Sequence, residues 1–286
     1  MKKIALVMII SAALFACAKN DSRLPGDPSY GGSSQAASDE PFRSLPGDEN
    51  VKSSEVAYNL ALEHAGARNM QAAHHFIDLA MKLESHPKYS YMKGMFYLGE
   101  KRYEKALLWL DKSMRENPAE LQARLDIWNA QGIVLMQLKR YEEAKVKFRN
   151  IVNTEGLINR FNAYYNLGRI YLDENNMADA ESVFRKAQEE NPNDYRVHAK
   201  LGKIALARND YVSAESDYSK AGELVEQVFS ALQADGPEIY YSLGEALLRQ
   251  QKTGEARTAL LKVIKIAPEG EYGLKAKDIL SKLPPG

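Results

Sequence analysis

Beyond residue 52, small and bulky apolar residues recur in a fixed order with a period of about 34 residues. The clearest unit carries the markers Phe161, Tyr164, Leu167, Gly168 and Tyr171, followed by Ala180, Phe184, Ala187 and Pro192. Small residues suit the point where two antiparallel helices cross closely, and bulky residues fill the space on either side. A proline cannot continue a helix, so Pro192 should end the second helix. The unit is therefore predicted to be a helical hairpin.

This order of an aromatic residue, Leu-Gly, Tyr, Ala, Phe, Ala and Pro resembles the tetratricopeptide repeat. The resemblance implies an all-α fold: a right-handed α-solenoid of about six tetratricopeptide repeats with a C-terminal capping helix. One continuous solenoid is expected over residues 53–286, and its first repeat is the weakest match, as terminal repeats often are. The repeats are predicted near residues 54–87, 87–120, 125–158, 161–194, 195–228 and 237–270, and the capping helix at 271–283.

The spacing between repeats is uneven, which predicts insertions. The crossing glycines are separated by 38, 36, 34 and 42 residues, and they are Gly94, Gly132, Gly168, Gly202 and Gly244. The largest insertion falls at about Val225 to Gly236, and we expect it to lengthen the second helix of the fifth repeat.

The first 17 residues have the pattern of an export signal. Lys2 and Lys3 precede an apolar run, Ile4 to Ala16, whose 13 residues fall short of the roughly 20 that a membrane-spanning helix needs. The run ends in Leu-Phe-Ala-Cys, which resembles the lipobox of bacterial lipoproteins. The resemblance implies that residues 1–16 are a signal peptide and that lipidated Cys17 becomes the mature N-terminus. The alternative is an ordinary cleaved signal in which Cys17 is incidental.

Residues 17–52 are expected to comprise the lipidated cysteine and a disordered tether, because the segment is rich in Gly, Ser, Pro and Asp. Cys17 is the sole cysteine of the chain, so no internal disulfide can form. By the lipoprotein resemblance, Ala18 favours the outer membrane. The predicted location is therefore the outer membrane, facing the periplasm, with the lipid anchor as the only contact with the membrane.

Charge and chemistry favour a binding protein over an enzyme. Lys and Arg total 38, as do Asp and Glu, so no excess positive charge predicts a nucleic-acid partner. No catalytic motif, phosphate-binding loop, cofactor site or metal site is predicted. The five histidines lack the spacing of a zinc protease; these residues are His64, His74, His75, His86 and His198. In the adjacent pair, His74 and His75, one ring should face solvent and the other a neighbouring helix.

Partner binding is expected on the concave face, which the first helices of the repeats line. Its N-terminal part should be an apolar half suited to an amphipathic helix or hydrophobic strand. That half comprises Tyr58, Leu62, Tyr91, Met95, Leu98, Ile133 and Met136. Its C-terminal part should be a basic half suited to a carboxylate or an acidic segment. That half comprises Tyr165, Asn166, Arg169, Arg196, Lys200 and Lys203.

Both halves also have a structural interpretation. The tyrosines could pack between helices of adjacent repeats, and the basic residues could pair with Glu238 or Glu245. Asn166, Arg196 and Lys200 resemble part of the carboxylate clamp of chaperone-binding repeats. Asn129 and Ile133, however, stand where that clamp has Lys and Asn.

The combination of an outer-membrane lipoprotein, six repeats and a capping helix resembles the pilotin family of type IV pilus systems. Asn153 to Phe161, which lengthens the turn before Asn166-Leu167-Gly168, supports this resemblance. It implies a non-catalytic factor whose partner is a secretin subunit and which aids secretin localisation and assembly. The alternatives are an adaptor that docks peptidoglycan enzymes or proteases in the periplasm and a barrel-assembly accessory lipoprotein.

Overall fold

The computed structural model describes residues 48–284, which are almost entirely helical and contain no strand. The predicted all-α fold is therefore confirmed. A single 3-10 turn, Asp48–Asn50, precedes the first helix. The helices are α1 Ser54–Gly66, α2 Met70–Leu83, α3 Pro87–Gly99, α4 Tyr103–Arg115, α5 Leu121–Gln137, α6 Tyr141–Val152, α7 Phe161–Asp173, α8 Met177–Glu190, α9 Tyr195–Ala207, α10 Tyr211–Val225, α11 Phe229–Arg249, α12 Thr253–Ile266 and α13 Glu271–Lys282.

Six turns of the same three-residue geometry join the helices into pairs. The middle residue of each turn has a φ between 58° and 63°, and these residues are Arg68, Lys101, Lys139, Asn175, Asn209 and Gln251. The next residue donates its N–H to the carbonyl five positions earlier, as Asn176 does to Tyr171 at 2.8 Å. This bond satisfies a carbonyl that the helix end would leave unpaired. The shared turn shows that the first and second helices of all six pairs are connected in the same way.

The described chain divides into two compact units, residues 48–147 and 148–284. In the N-terminal unit, α1 packs on α2 and α3 on α4. Gly94 of α3 faces Leu110 of α4 so closely that a Cβ at position 94 would lie 2.9 Å from Leu110 Cγ. Since Leu110 and Ala106 are fully buried, the crossing admits no larger residue at position 94.

The C-terminal unit repeats this arrangement in the pairs α7–α8, α9–α10 and α11–α12. A Cβ on Gly168 would lie 2.7 Å from the ring of Phe184, and one on Gly202 would lie 2.9 Å from the ring of Tyr218. Phe184 and Ala180 are fully buried. The prediction that small residues mark the helix crossings is therefore confirmed. α13 packs against α12 and α11.

The prediction for the largest insertion is wrong. α10 ends at Val225, and the extra residues instead lengthen α11, which has 21 residues and contains Pro237. Proline removes one helical N–H and usually breaks a helix interior. Here tertiary packing outweighs that loss, because Pro237 is buried and Leu232, one turn earlier, packs against the apolar core of the C-terminal unit. The turn predicted to be longer before α7 is present, since α6 ends at Val152 and α7 begins at Phe161.

The predicted signal peptide, Cys17 and most of the predicted tether lie outside the described residues. The last part of the tether, Asp48–Asn50, is an ordered turn whose Asp48 carboxylate lies 2.8 Å from His75 Nε2. His74 packs at 4.5 Å from the ring of Tyr97, and its Nε2 lies 3.3 Å from a carboxylate oxygen of Glu100. Both histidines therefore have partners, and the prediction that one of them faces solvent is wrong, because residue 48 covers His75.

Over residues 48–284, no helix combines the length and the hydrophobicity needed to cross a membrane. Within the same residues, no three histidine, cysteine or acidic side chains come together in a group that could hold a metal ion.

Candidate partner-binding surfaces

The predicted apolar half lies on the first helices α1, α3 and α5 of the N-terminal unit, but much of it is core. Leu62, Met95 and Met136 are 5%, 4% and 7% exposed. Leu98 and Ile133 are half-buried. Because neighbouring helices already cover the first three side chains, glutamate at those positions would disturb folding before it disturbed binding. The accessible part of this half is smaller and more polar than predicted.

The two tyrosines of this half, Tyr58 and Tyr91, are half-buried and interact with neighbouring side chains. The rings of Tyr58 and Tyr89 have centroids 5.5 Å apart, and the Lys88 ammonium lies 5.4 Å from the Tyr58 centroid. Lys88 also pairs with Glu55 at 2.6 Å. Burial, and then the charge of Glu55, raise the pKa of the Tyr58 hydroxyl to about 12. Tyr58 is thus neutral at physiological pH and packs between two helix pairs, as the structural alternative proposed.

Tyr91 borders a cavity of about 620 Å³ in the N-terminal unit. The cavity lies between the start of α3, the α4–α5 connection and the start of α5. Burial, and then the negative charge of Asp126, raise the pKa of the Tyr91 hydroxyl. This cavity was not predicted from the sequence because two of its carboxylates, Glu116 and Glu120, come from the α4–α5 connection and not from a first helix.

The predicted basic half lies on α7 and α9 of the C-terminal unit, where Arg196 has a structural role. Its guanidinium forms a two-pronged pair with Asp194, at 2.8 Å from Nε to Oδ1 and 2.5 Å from Nη2 to Oδ2. It also lies 5.0 Å from the ring centroid of Tyr165. The Asp194 carboxylate in turn caps α9 by accepting the backbone N–H of residue 196 at 2.9 Å. Arg196 is therefore already engaged, which removes one member of the resemblance to the carboxylate clamp.

Tyr165 and Asn166 belong mainly to the packing between helices. The ring of Tyr165 stacks on Phe161 with centroids 6.0 Å apart and meets the edge of Phe184 at 5.8 Å. Burial raises the pKa of the Tyr165 hydroxyl. Asn166 is 7% exposed, and its side-chain oxygen lies 3.4 Å from Nη1 of Arg169. Asn166 therefore helps to position Arg169, and Tyr165 serves the packing between helices.

Three cations of the basic half stand near one another without an acidic partner. In the described chain, no carboxylate lies within ion-pair distance of Arg169, Lys200 or Lys203, so the proposed pairing with Glu238 or Glu245 does not occur. Desolvation by burial is the largest cause that lowers the pKa of Lys200; the negative charge of Glu238 opposes it, and the positive charges of Lys203 and Arg169 add to it. This positive cluster without direct ion pairs is the feature of the C-terminal unit best suited to an anionic partner group.

Replacing Lys200 with Met tests whether the cluster serves binding. The change removes a desolvated ammonium, so we expect the free energy of unfolding to stay the same or to rise by about 1 kcal/mol or less. Binding of a synthetic tetraglutamate peptide should weaken about fivefold to tenfold, measured by titration calorimetry at low salt. The control is Lys203→Met, which removes an exposed ammonium and should weaken binding without changing stability. Unchanged peptide binding in both variants would contradict this role.

A buried histidine, His198, lies on α9, the helix that carries Lys200 and Lys203. His198 donates from Nε2 to the carbonyl of Pro192 at 2.8 Å, and its Nδ1 is 3.7 Å from Oδ1 of Asp217. Burial alone would lower the pKa of His198, but the interactions with Asp217 and the Pro192 carbonyl outweigh burial and raise it above its ordinary value of 6.5. The other charges facing this site are Arg185, which lies 3.8 Å from Asp217, and Lys220.

Because the pKa of His198 is higher in the folded protein than in the unfolded chain, this group makes the free energy of unfolding depend on pH. The contribution of His198 is fully present below its unfolded pKa of about 6.5 and is lost as pH rises through the folded value. We expect the free energy of unfolding to fall by up to ~1 kcal/mol from this group between pH 6 and pH 8.5, measured by urea denaturation. Asp217→Asn should remove this dependence, and so should His198→Gln. A wild-type slope that persists in both variants would assign the dependence to other groups.

The comparisons with known proteins define the class to which these helix pairs correspond. The family model of the tetratricopeptide repeat matches residues 87–120, 161–194 and 237–269. The chain therefore contains tetratricopeptide repeats, and proteins built from such repeats are generally non-catalytic scaffolds that bind other proteins. No curated protein sequence matches the chain significantly.

Solved structures of several repeat proteins share this fold. PilF of Pseudomonas aeruginosa superposes with a TM-score of 0.65 at 17% identity, covering 82% of this chain and 99% of PilF. PilW, described as a widely conserved type IV pilus biogenesis factor, has a TM-score of 0.65 at 15% identity, covering 78% of this chain and 98% of PilW. YrrB, a protein with an unusual peptide-binding site, has a TM-score of 0.52 at 19% identity, covering 71% of this chain and 97% of YrrB. At these identities the matches show a common fold.

Proposed function

We propose that this protein is a non-catalytic lipoprotein of the outer membrane that helps a type IV pilus secretin to reach its place and assemble. The observation that carries the proposal is the fold match to PilF and PilW, which extends over 99% and 98% of those two chains. Other repeat proteins such as YrrB also match over nearly their whole length, but PilF and PilW combine such coverage with 82% and 78% of this chain and a TM-score of 0.65. The match thus supports a role for the complete repeat array.

The sequence supplies the second support. The apolar run from Ile4 to Ala16 and the following Cys17 resemble a lipoprotein signal. Lipidation at Cys17 would hold the repeats at the membrane, where a secretin subunit has to be received. Attachment by more than one acyl chain is needed for stable anchoring, because a single chain binds only marginally.

The basic cluster of Arg169, Lys200 and Lys203 is the part of the molecule proposed to receive the partner in the C-terminal unit. Its three cations lack ion pairs within residues 48–284, so an acidic partner segment would gain charge-assisted hydrogen bonds without breaking an internal ion pair. In the N-terminal unit, the accessible surface beside Tyr58 and Tyr91 would add aromatic contact area.

Affinity capture from envelope extracts tests the proposal. Tagged wild-type protein should recover the secretin subunit, and Cys17→Ala should recover clearly less because it is not concentrated at the membrane. The paired change Lys200→Glu and Lys203→Glu should also reduce recovery. Its matched control is Lys186→Glu with Lys265→Glu, two exposed lysines on the second helices α8 and α12, which should not.

Absence of secretin from every capture would refute the proposed role. Recovery of a peptidoglycan enzyme or a protease in its place would support the adaptor alternative.

A further inference from the structure

The cavity beside Tyr91 has walls of two kinds. An apolar wall comes from Pro87, Tyr91, Pro118 and Ile127, and a carboxylate wall comes from the α4–α5 connection and the start of α5. The hydroxyl of Ser113 donates to the carbonyl of Pro87 at 2.7 Å and fixes the start of α3 against the end of α4. The cavity is thus formed by packed helix ends, and at about 620 Å³ it falls within the usual range of ligand sites.

The carboxylates of this cavity are poorly compensated. Glu116 is 17% exposed in its side chain, its Oε2 is buried without a hydrogen-bond donor among the described residues, and its Oε1 lies 3.8 Å from Lys112. Asp126 accepts from Gln122 at 2.8 Å and, like Glu120, has no ion pair within residues 48–284. A buried carboxylate oxygen with no donor is costly, so a ligand that supplies a donor is favoured there.

The cations near the cavity neutralise these groups only in part, since Lys112 reaches Glu116 alone. Lys88 lines the cavity, but its ammonium is held by Glu55 at 2.6 Å and lies against the ring of Tyr89 at 5.0 Å from the centroid. His86 accepts the backbone N–H of Lys88 at 3.2 Å through its own ring nitrogen. Three carboxylates therefore face two ammonium groups, that of Lys88, which Glu55 already holds, and that of Lys112, 3.8 Å from Glu116, so negative charge is in excess at the cavity.

From this geometry we infer that the cavity binds an arginine or lysine side chain on an apolar, extended segment of a protein partner. The basic head lies between Glu116 and Asp126, and its aliphatic stem lies on the ring of Tyr91. The cavity is larger than one side chain, so the residues flanking the basic one contact Pro118 and Ile127. The inference extends the proposed function, because it assigns to the partner a basic anchor for the N-terminal unit opposite in sign to the acidic segment proposed for the C-terminal unit.

Three fluorescein-labelled peptides test the inference on the full-length protein. They share the sequence Ala-Leu-X-Leu-Ala with capped ends, in which X is arginine, citrulline or glutamate. Citrulline has nearly the shape of arginine without its charge, so the ratio of the two affinities isolates the ion pair. We expect the arginine peptide to bind about tenfold more tightly than the citrulline peptide at low salt, and the glutamate peptide to bind most weakly.

The variant Glu116→Gln with Asp126→Asn should bring the arginine-to-citrulline ratio close to one. Burial raises the pKa of the Asp126 carboxyl, so neutralising this side chain does not threaten folding, and the melting temperature provides the check. The matched control is Glu63→Gln, an exposed carboxylate of α1 outside the cavity, which should keep the tenfold ratio.

Equal binding of the arginine and citrulline peptides to wild-type protein would overturn the inference. So would failure of the arginine peptide to bind, or a ratio unchanged in the double variant. The assay contains no secretin, so its outcome is separate from that of the envelope capture: the cavity can bind basic segments even if the partner is a different envelope protein.

Discussion

Replacing Phe184 with Ala is expected to lower the free energy of unfolding by about 3–5 kcal/mol, the usual loss when a buried phenyl ring is removed. Phe184 is fully buried in α8, and its ring touches both Tyr165 and the backbone of α7 at Gly168. Urea denaturation followed by circular dichroism measures the change. The C-terminal unit contains this residue, so its transition should move to lower urea concentration.

The cost of adding a methyl group at Gly168 should depend on whether the Phe184 ring is present. In wild-type protein a Cβ at position 168 would approach the Phe184 ring to 2.7 Å, so Gly168→Ala should cost about 1–3 kcal/mol. In the Phe184→Ala background the obstacle is gone, and the gain in helix propensity, up to about 1 kcal/mol, should make the same change neutral or stabilising. The sign of the effect therefore depends on the partner residue.

The matched control is Gly254→Ala. Gly254 lies in α12 with open space around the position of a Cβ, so this change should be neutral or stabilising in both backgrounds. An equal cost of Gly168→Ala in both backgrounds would show that the crossing of α7 and α8 is not limited by the phenyl ring.

Gly273→Ala is expected to cost about 3 kcal/mol, at the upper end for overpacking. A Cβ at position 273 would lie 2.0 Å from the carbonyl oxygen of Ala267, a backbone atom that cannot rotate away. α13 would have to move from the position in which it buries Ala276 and packs Tyr272 at 5.4 Å from the ring of Tyr241. Hydrogen exchange should therefore become faster in residues 271–282 before it does elsewhere.

Gly254→Ala serves again as the control, because it adds the same methyl group to a helix in open space. Unchanged exchange in α13 of the Gly273→Ala protein would mean that this helix does not depend on the close approach of residue 273 to residue 267.

The fold was largely predictable because the helix crossings restrict residue size. Positions such as Gly94, Gly168 and Ala180 admit only small side chains, so the spacing of the helix crossings can be recognised in the sequence as a spacing of small residues. The turns between paired helices were harder to predict. Arg68 and Lys101 adopt a left-handed conformation that favours glycine, and only the geometry of the hairpin imposes it. The helical Pro237 could not be predicted either, since its tolerance depends on the packing of the helix around it.

The helices that carry the candidate site could be predicted from the sequence, but the accessibility of their side chains could not. The helical period correctly assigns Leu62, Met95 and Lys200 to first helices, but it cannot tell how closely the next helix approaches. Leu62 and Met95 therefore proved buried, whereas Lys200 kept an unpaired charge. Arg196 was predicted to bind a partner, but it pairs with Asp194, two residues earlier in the sequence. The cavity at Tyr91 was missed because it also needs the α4–α5 connection, which the repeat pattern leaves variable.

The proposed role of these repeats as a scaffold for a secretin is tested by the amount of assembled secretin in the outer membrane. Secretin multimer is measured in outer-membrane fractions from cells that lack this protein and from the same cells supplied with it. We expect most of the multimer to be lost without the protein, the wild type to restore it, and Cys17→Ala to restore little. Undiminished multimer in cells that lack the protein would contradict the claim.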